Sequence, residues 1–190
     1  VHVSHIKSVY GKGATRAEEI LTMMEDARAK GATVTADIYP YEASFTTLSI
    51  LFPKWALPPN DYKDVVANRH DELAPSMKER IAKRNGPAAT LFGSGPDAGK
   101  TLEQVAKETG KPYEEVLIDK GPDGGSGAYF IMDEALQSRL LVDPHINICS
   151  DGAPDMRHPR GYGSFAKIIR YYVNEKKLLT LEEAVHKMSG

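Results

Sequence analysis

Thr33-Val34-Thr35-Ala36-Asp37-Ile38-Tyr39 is the stretch that decides the fold. Its side chains alternate, with Val34, Ala36 and Ile38 on one face and Thr35, Asp37 and Tyr39 on the other, which is a half-buried strand. Upstream, residues 1–7 alternate in the same way and read as a short strand, broken by Gly11 to Gly13. Between the two strands Thr15 and Glu18 have capping-box spacing. Ile20, Leu21, Met24 and Ala27 follow on one helical face, so the pattern predicts a helix over 16–30 that Gly31 stops. Strand, helix, strand implies a parallel pair with a right-handed crossover.

Downstream, the next regular strand is Ile146-Asn147-Ile148-Cys149-Ser150, leading into Asp151-Gly152. A helix is expected over 165–175, and another from the Thr180/Glu183 capping box. Residues 53–127 interrupt the rhythm. Pro53, Pro58, Pro59, Pro75 and Pro87 cut the stretch into short pieces, with helices expected at 62–68, 72–84, 101–109 and 112–119. The reading is one α/β domain over 1–190 carrying 53–127 as a largely helical insertion, a natural wall or lid for a pocket.

Composition narrows the function. The chain has 190 residues, 41% hydrophobic and 26% charged, with net charge −2, so nothing favours nucleic acid or an anionic membrane surface. No apolar run approaches the ~20 residues of a membrane span. A single cysteine, Cys149, excludes an internal disulfide and makes a cytoplasmic setting the expectation. The chain opens without an initiating Met or a signal-peptide pattern, as a fragment or a processed chain would.

The chemistry is concentrated where strands end. His5 and Lys7 are two apart and share a face; the second strand ends in Asp37-Ile38-Tyr39-Pro40-Tyr41, and the third in Ser150-Asp151-Gly152. Catalytic groups of α/β barrels sit at the carboxyl ends of parallel strands. An imidazole and a carboxylate there can share a divalent metal, and the carboxylate can also move a proton. Spacing alone leaves two other readings open, a hydrogen-bonded structural histidine and an Asp-Gly turn.

Ser4-His5-Ile6-Lys7, Asp37-Ile38-Tyr39-Pro40-Tyr41, Ser150-Asp151-Gly152 and His158-Pro159-Arg160, in this order, resemble the signature of the N-acyl-D-amino-acid deacylases (D-aminoacylases) of the amidohydrolase superfamily. Gly99 to Glu103 and Tyr129 to Met132 add to the likeness. The resemblance implies a partial (β/α)8 barrel, its last three strand–helix units, from the carboxy-terminal part of such an enzyme. It implies hydrolysis of the amide of N-acyl-D-amino acids with one or two Zn2+ ions. His5 and Asp151 would be metal ligands, Asp151 also the catalytic proton carrier, and Lys7, Tyr39 and Arg160 the substrate-binding groups. A guanidinium suits the amino-acid carboxylate because it offers a planar pair of donors.

The family's other metal ligands, among them a His-X-His pair, have no counterpart here. A missing amino-terminal half is therefore expected, and a chain inactive alone. Phe45 stands near a position where relatives carry a small hydroxyl residue, with Ser44 and Thr46 beside it. Three strands cannot close a barrel, so open edges invite a homo-oligomer. The rivals are a cyclic-amide (hydantoinase-like) amidohydrolase and a non-catalytic interaction domain. Gly93 to Thr101 imitates a phosphate-binding loop, but Ser94 stands where that motif needs glycine, so the stretch reads as a loop with Thr101 capping a helix. His70, His145 and His186 read as solvated, Cys149 as a buried small residue, and Asp133, Glu134 and Asp155 as loop and helix-start charges.

Overall fold

The computed structural model describes residues 1–9, 11–154 and 156–189; Asp155 lies outside them. In chain order the elements are β1 (His2–Val3), α1 (Gly13–Ala29), β2 (Thr35–Ile38), β3 (Ala43–Thr47), α2 (Tyr62–Lys83), β4 (Thr90–Phe92), α3 (Leu102–Thr109) and α4 (Tyr113–Lys120). There follow β5 (Ser126–Phe130), α5 (Glu134–Leu141), β6 (Ile146–Ile148), α6 (Arg160–Lys167), a π-helical continuation (Ile168–Glu175) and α7 (Leu181–Ser189). The chain divides into two compact units, one of Val1–Glu42 with Met132–Gly190 and one of Ala43–Ile131.

The first unit holds a parallel sheet of order β1-β2-β6. Period-two patterning does what it promised in β2 and β6. Ala36, Ile38, Ile146 and Ile148 are buried, while Thr35 and Asn147 are exposed and Asp37 is half-buried. The apolar residues join Ala17, Leu21 and Met24 of α1, Leu136, Leu140 and Leu141 of α5, Ile168, Tyr172 and Ala184 in one core. The opposite sheet face is polar: the His2 ring bonds both Thr35 Oγ1 (2.8 Å) and Asp37 Oδ2 (2.7 Å).

The second unit pairs β3-β5-β4 in an antiparallel sheet beside α2, α3 and α4. The sequence reading expected the helices but not this sheet. Ala43-Ser44-Phe45-Thr46-Thr47 and Ser126-Gly127-Ala128-Tyr129-Phe130 owe their pairing to each other, a long-range choice no local pattern announces. Helices expected at 62–68 and 72–84 are the two arms of α2, which meet at Arg69 in a non-helical conformation (φ −133°, ψ 23°). The Arg69 guanidinium lies 4.0 Å from the centre of the Trp55 ring and pairs with Glu72 at 2.7 Å. The capping box at Thr101 forms with Gln104, as its spacing predicts.

One cap is corrected. Helix α1 starts at Gly13, ahead of the Thr15/Glu18 box, because a distant carboxylate caps it. Asp133 Oδ1 accepts from the N–H of Gly13 (2.9 Å) and of Leu136 (3.0 Å), so one side chain caps both α1 and α5. The bonds from Leu136 and Gly13 hold its carboxyl below the usual carboxylate range. Asp133→Ala is expected to destabilise the protein by about 1–2 kcal/mol in urea denaturation at pH 7. A group with a lowered folded-state pKa stabilises above its unfolded pKa and loses this as pH falls through the folded one, so wild type and variant converge in acid. Equal stability at pH 7 would contradict the double cap.

Candidate functional site

Three strands running parallel place their carboxyl ends on one rim, and the candidate residues follow those ends. His5 follows β1 and Asp151 follows β6. The residue between them is Asp37 of β2, whose carbonyl accepts from Ile6 N–H at 2.7 Å. Among the described residues, only His5, Asn85, Asp151 and Lys177 of the non-glycines have positive φ, 42° at His5 and 46° at Asp151. Such backbone costs about 1–2 kcal/mol per residue, so it persists only where surroundings impose it. At His5 the constraint is visible: its N–H is held by Asp37 Oδ1 at 2.5 Å. At Asp151 it is the turn that follows, because Gly152 packs so closely on Gly161 that a Cβ would overlap it.

That packing sets the Asp151 turn against the first turn of α6, where Arg160 sits. Arg160 is buried, pairs with Asp151 Oδ2 at 2.9 Å, and lies 4.8 Å from the centre of the Tyr39 ring. On the same ring, Lys7 Nζ lies 5.1 Å from the centre. Lys7 Nζ in turn meets His5 Nδ1 at 2.7 Å and donates to His5 carbonyl at 2.9 Å. The five residues read from the sequence thus form one run of contacts, His5 to Lys7 to Tyr39 to Arg160 to Asp151.

Electrostatics follow from burial. Burial lowers the Lys7 ammonium below its ordinary range, with Asp151 opposing and Arg160 adding to the shift. Burial drives the Tyr39 hydroxyl upward, and that hydroxyl has no well-aligned hydrogen bond. At Asp37 burial raises the carboxyl, but bonds from Cys149, His2 and the His5 N–H outweigh it and leave the group lowered.

Three residues that the sequence reading named without a site role support the rim. Asp37 alternates onto the polar face like any strand residue, and only the backbone of His5 reveals its use. His158 is buried: its Nδ1 accepts from Arg160 N–H at 3.0 Å, and its ring meets Tyr41 edge-on at 5.4 Å. Cys149 is half-buried and bonded to Asp37. His70, read as solvated, keeps a side chain 43% exposed and also pairs with Glu115 at 3.0 Å.

No group of three His, Cys, Asp or Glu able to hold a metal occurs among the described residues. A catalytic zinc site needs about three protein ligands plus water, so His5 and Asp151 alone do not fit one. No helix among the described residues is long and apolar enough to cross a membrane.

No family model matches the chain. It is 30% identical over 190 residues to an N-acyl-D-aspartate deacylase of Alcaligenes xylosoxydans xylosoxydans, covering 98% of this chain and 32% of that protein. An N-acyl-D-glutamate deacylase of the same organism is also 30% identical, over 99% of this chain and 33% of its own length. Among solved structures, the N-acyl-D-glutamate deacylase of Bordetella bronchiseptica, with zinc and a phosphonate inhibitor, superposes with a TM-score of 0.71 at 29% identity, covering 98% of this chain and 34% of that one. A D-aminoacylase said to define a novel subset of amidohydrolases gives 0.69 at 29% identity, over 99% and 34%. The likeness to this family is borne out along nearly the whole chain, which spans about a third of the length of the curated relatives it matches.

The thiol of Cys149 is pushed up to about 12, by burial first and then by its bond to Asp37. At pH 8 about one thiol in ten thousand is then ionised. Iodoacetamide is expected to modify it far more slowly than free cysteine, and Asp37→Asn to speed the reaction. Rapid labelling of wild type at pH 8 would contradict this.

Proposed function

We propose that this chain, a relative of the N-acyl-D-amino-acid deacylases, furnishes part of an active site that hydrolyses the amide bond of N-acyl-D-amino acids. The observation that carries the reading is the run of contacts from His5 to Asp151 along one rim of a parallel sheet. Strands β1, β2 and β6 are the last three of a (β/α)8 barrel in this reading, from the carboxy-terminal part of the parent enzyme. Their polar face, with His2, Thr35, Asp37 and Asn147, lines its interior, and residues 53–127 form an insertion between the last two strands.

Zinc, as one or two ions, belongs to the complete enzyme. His5 and Asp151 would give that site two of its ligands, and the remainder would come from outside this chain. The isolated chain is inactive for that reason.

The chain's own residues bind substrate and move a proton. Arg160 is the carboxylate clamp, since its buried guanidinium already grips one carboxylate, that of Asp151. A substrate carboxylate takes over that grip and releases Asp151. Freed, Asp151 accepts a proton from the attacking water and returns it to the leaving amine as the C–N bond breaks. Lys7 and Tyr39 bracket the same volume and supply donors toward the acyl oxygen and the carboxylate.

The test is release of free amine from N-acetyl-D-glutamate and N-acetyl-D-leucine by the protein that contains this chain. Asp151→Asn is expected to lower kcat/KM by about 100-fold or more. Arg160→Lys is expected to raise KM by about 10-fold or more through loss of the planar clamp. Full activity in Asp151→Asn would remove the proton-carrying role, and equal rates on L-enantiomers would remove the substrate class.

A further inference from the structure

Beyond that rim, the first unit carries a groove of about 560 Å³ lined by Tyr41, Gly163, Ala166, Lys167, Arg170, Tyr171 and Glu175. Its volume is in the range of pockets that hold small molecules. Nothing in the deacylase reading uses it. Among the lining residues is Lys167, whose Nζ lies 4.6 Å from the centre of the Tyr41 ring and 5.5 Å from that of Tyr171.

The surrounding charges are matched among themselves. Arg170 pairs with Glu175 at 2.9 Å, and Lys176 with Glu134 at 3.7 Å. Tyr171 Oη donates to Glu134. Glu42 and Glu134 act on Lys167 only through space. Among the described residues Lys167 has no ion-pair or hydrogen-bond partner, so its ammonium keeps three donors in a half-buried, aromatic-walled place. Burial lowers its pKa, as expected for an ammonium held without a counter-ion.

The wall is also preformed. Gly163 has no side chain, and a Cβ there would come within 2.5 Å of Tyr41 Oη, so the glycine seats Tyr41 against α6. An aromatic wall beside a cation with unspent donors suits an anion attached to a flat apolar body.

We infer that this groove is a binding site for a small aromatic or hydrophobic monocarboxylate, its carboxylate on Lys167 and its body against the tyrosine-lined wall. The inference does not depend on the deacylase reading. Arg160 and the other rim residues are not among those that line the groove.

The experiment is a titration of the 15N-labelled protein with benzoate, and with benzamide as its uncharged twin, followed by backbone amide shifts. Saturable shifts at Gly163, Ala166, Lys167 and Tyr171 are expected, with benzamide about tenfold or more weaker. Lys167→Met keeps the apolar stem and is expected to erase the preference for benzoate, and Gly163→Ala to weaken binding by displacing Tyr41. The wild-type comparison of benzoate with benzamide does not rely on either variant folding. No saturable shift, shifts confined to Lys7 and residues 150–152, or equal binding of the two ligands by wild type would each overturn the inference.

Discussion

A guanidinium buried at the start of α6 is the constraint on which the site depends. Arg160 is 4% exposed, and a buried charge is tolerated only with a partner and hydrogen bonds. Asp151 supplies the partner, and the aromatic face of Tyr39 supplies a second contact. To meet Arg160, Asp151 must leave β6 in a left-handed conformation, and Gly152 must lie flat on Gly161. The ion pair thus fixes where the third strand ends relative to α6. Removing one partner from such a pair costs about 3–5 kcal/mol, because the other charge stays buried and alone. A bound carboxylate can replace Asp151 without that cost, since it leaves Arg160 paired.

At the other end of the rim, Asp37 plays the corresponding part. It spends one oxygen on the His5 N–H and the other on the His2 ring. The backbone of β1 is thereby turned so that His5 and Lys7 meet. Two carboxylates, Asp37 and Asp151, shape the two strand ends from which the chemistry projects.

The sequence made the parallel sheet legible because its signal is local: alternation in 33–39 and 146–150, with an amphipathic helix between the first two strands. Helix starts were legible where the cap is local, as at Thr101 and Thr180, and not where Asp133 reaches across 120 residues to Gly13. Site residues His5, Lys7, Tyr39, Asp151 and Arg160 were picked out by family likeness, and the fold brings them into one run of contacts. Asp37 and His158 stood in the same family-like blocks without an assigned role, and Gly161 was passed over, because each acts by holding another residue and looks like an ordinary strand, loop or helix position. The antiparallel pairing of β3 with β5 stayed hidden because the two strands lie at opposite ends of the second unit in sequence, and no local pattern announces their partnership.

The account turns on whether Arg160 exchanges the carboxylate of Asp151 for that of a ligand. A crystal structure of the complete protein with D-glutamate bound tests this directly. The α-carboxylate is predicted to lie about 3 Å from the guanidinium nitrogens of Arg160, with Asp151 released. D-glutamate bound elsewhere on the protein, with the Asp151–Arg160 pair intact, would contradict it.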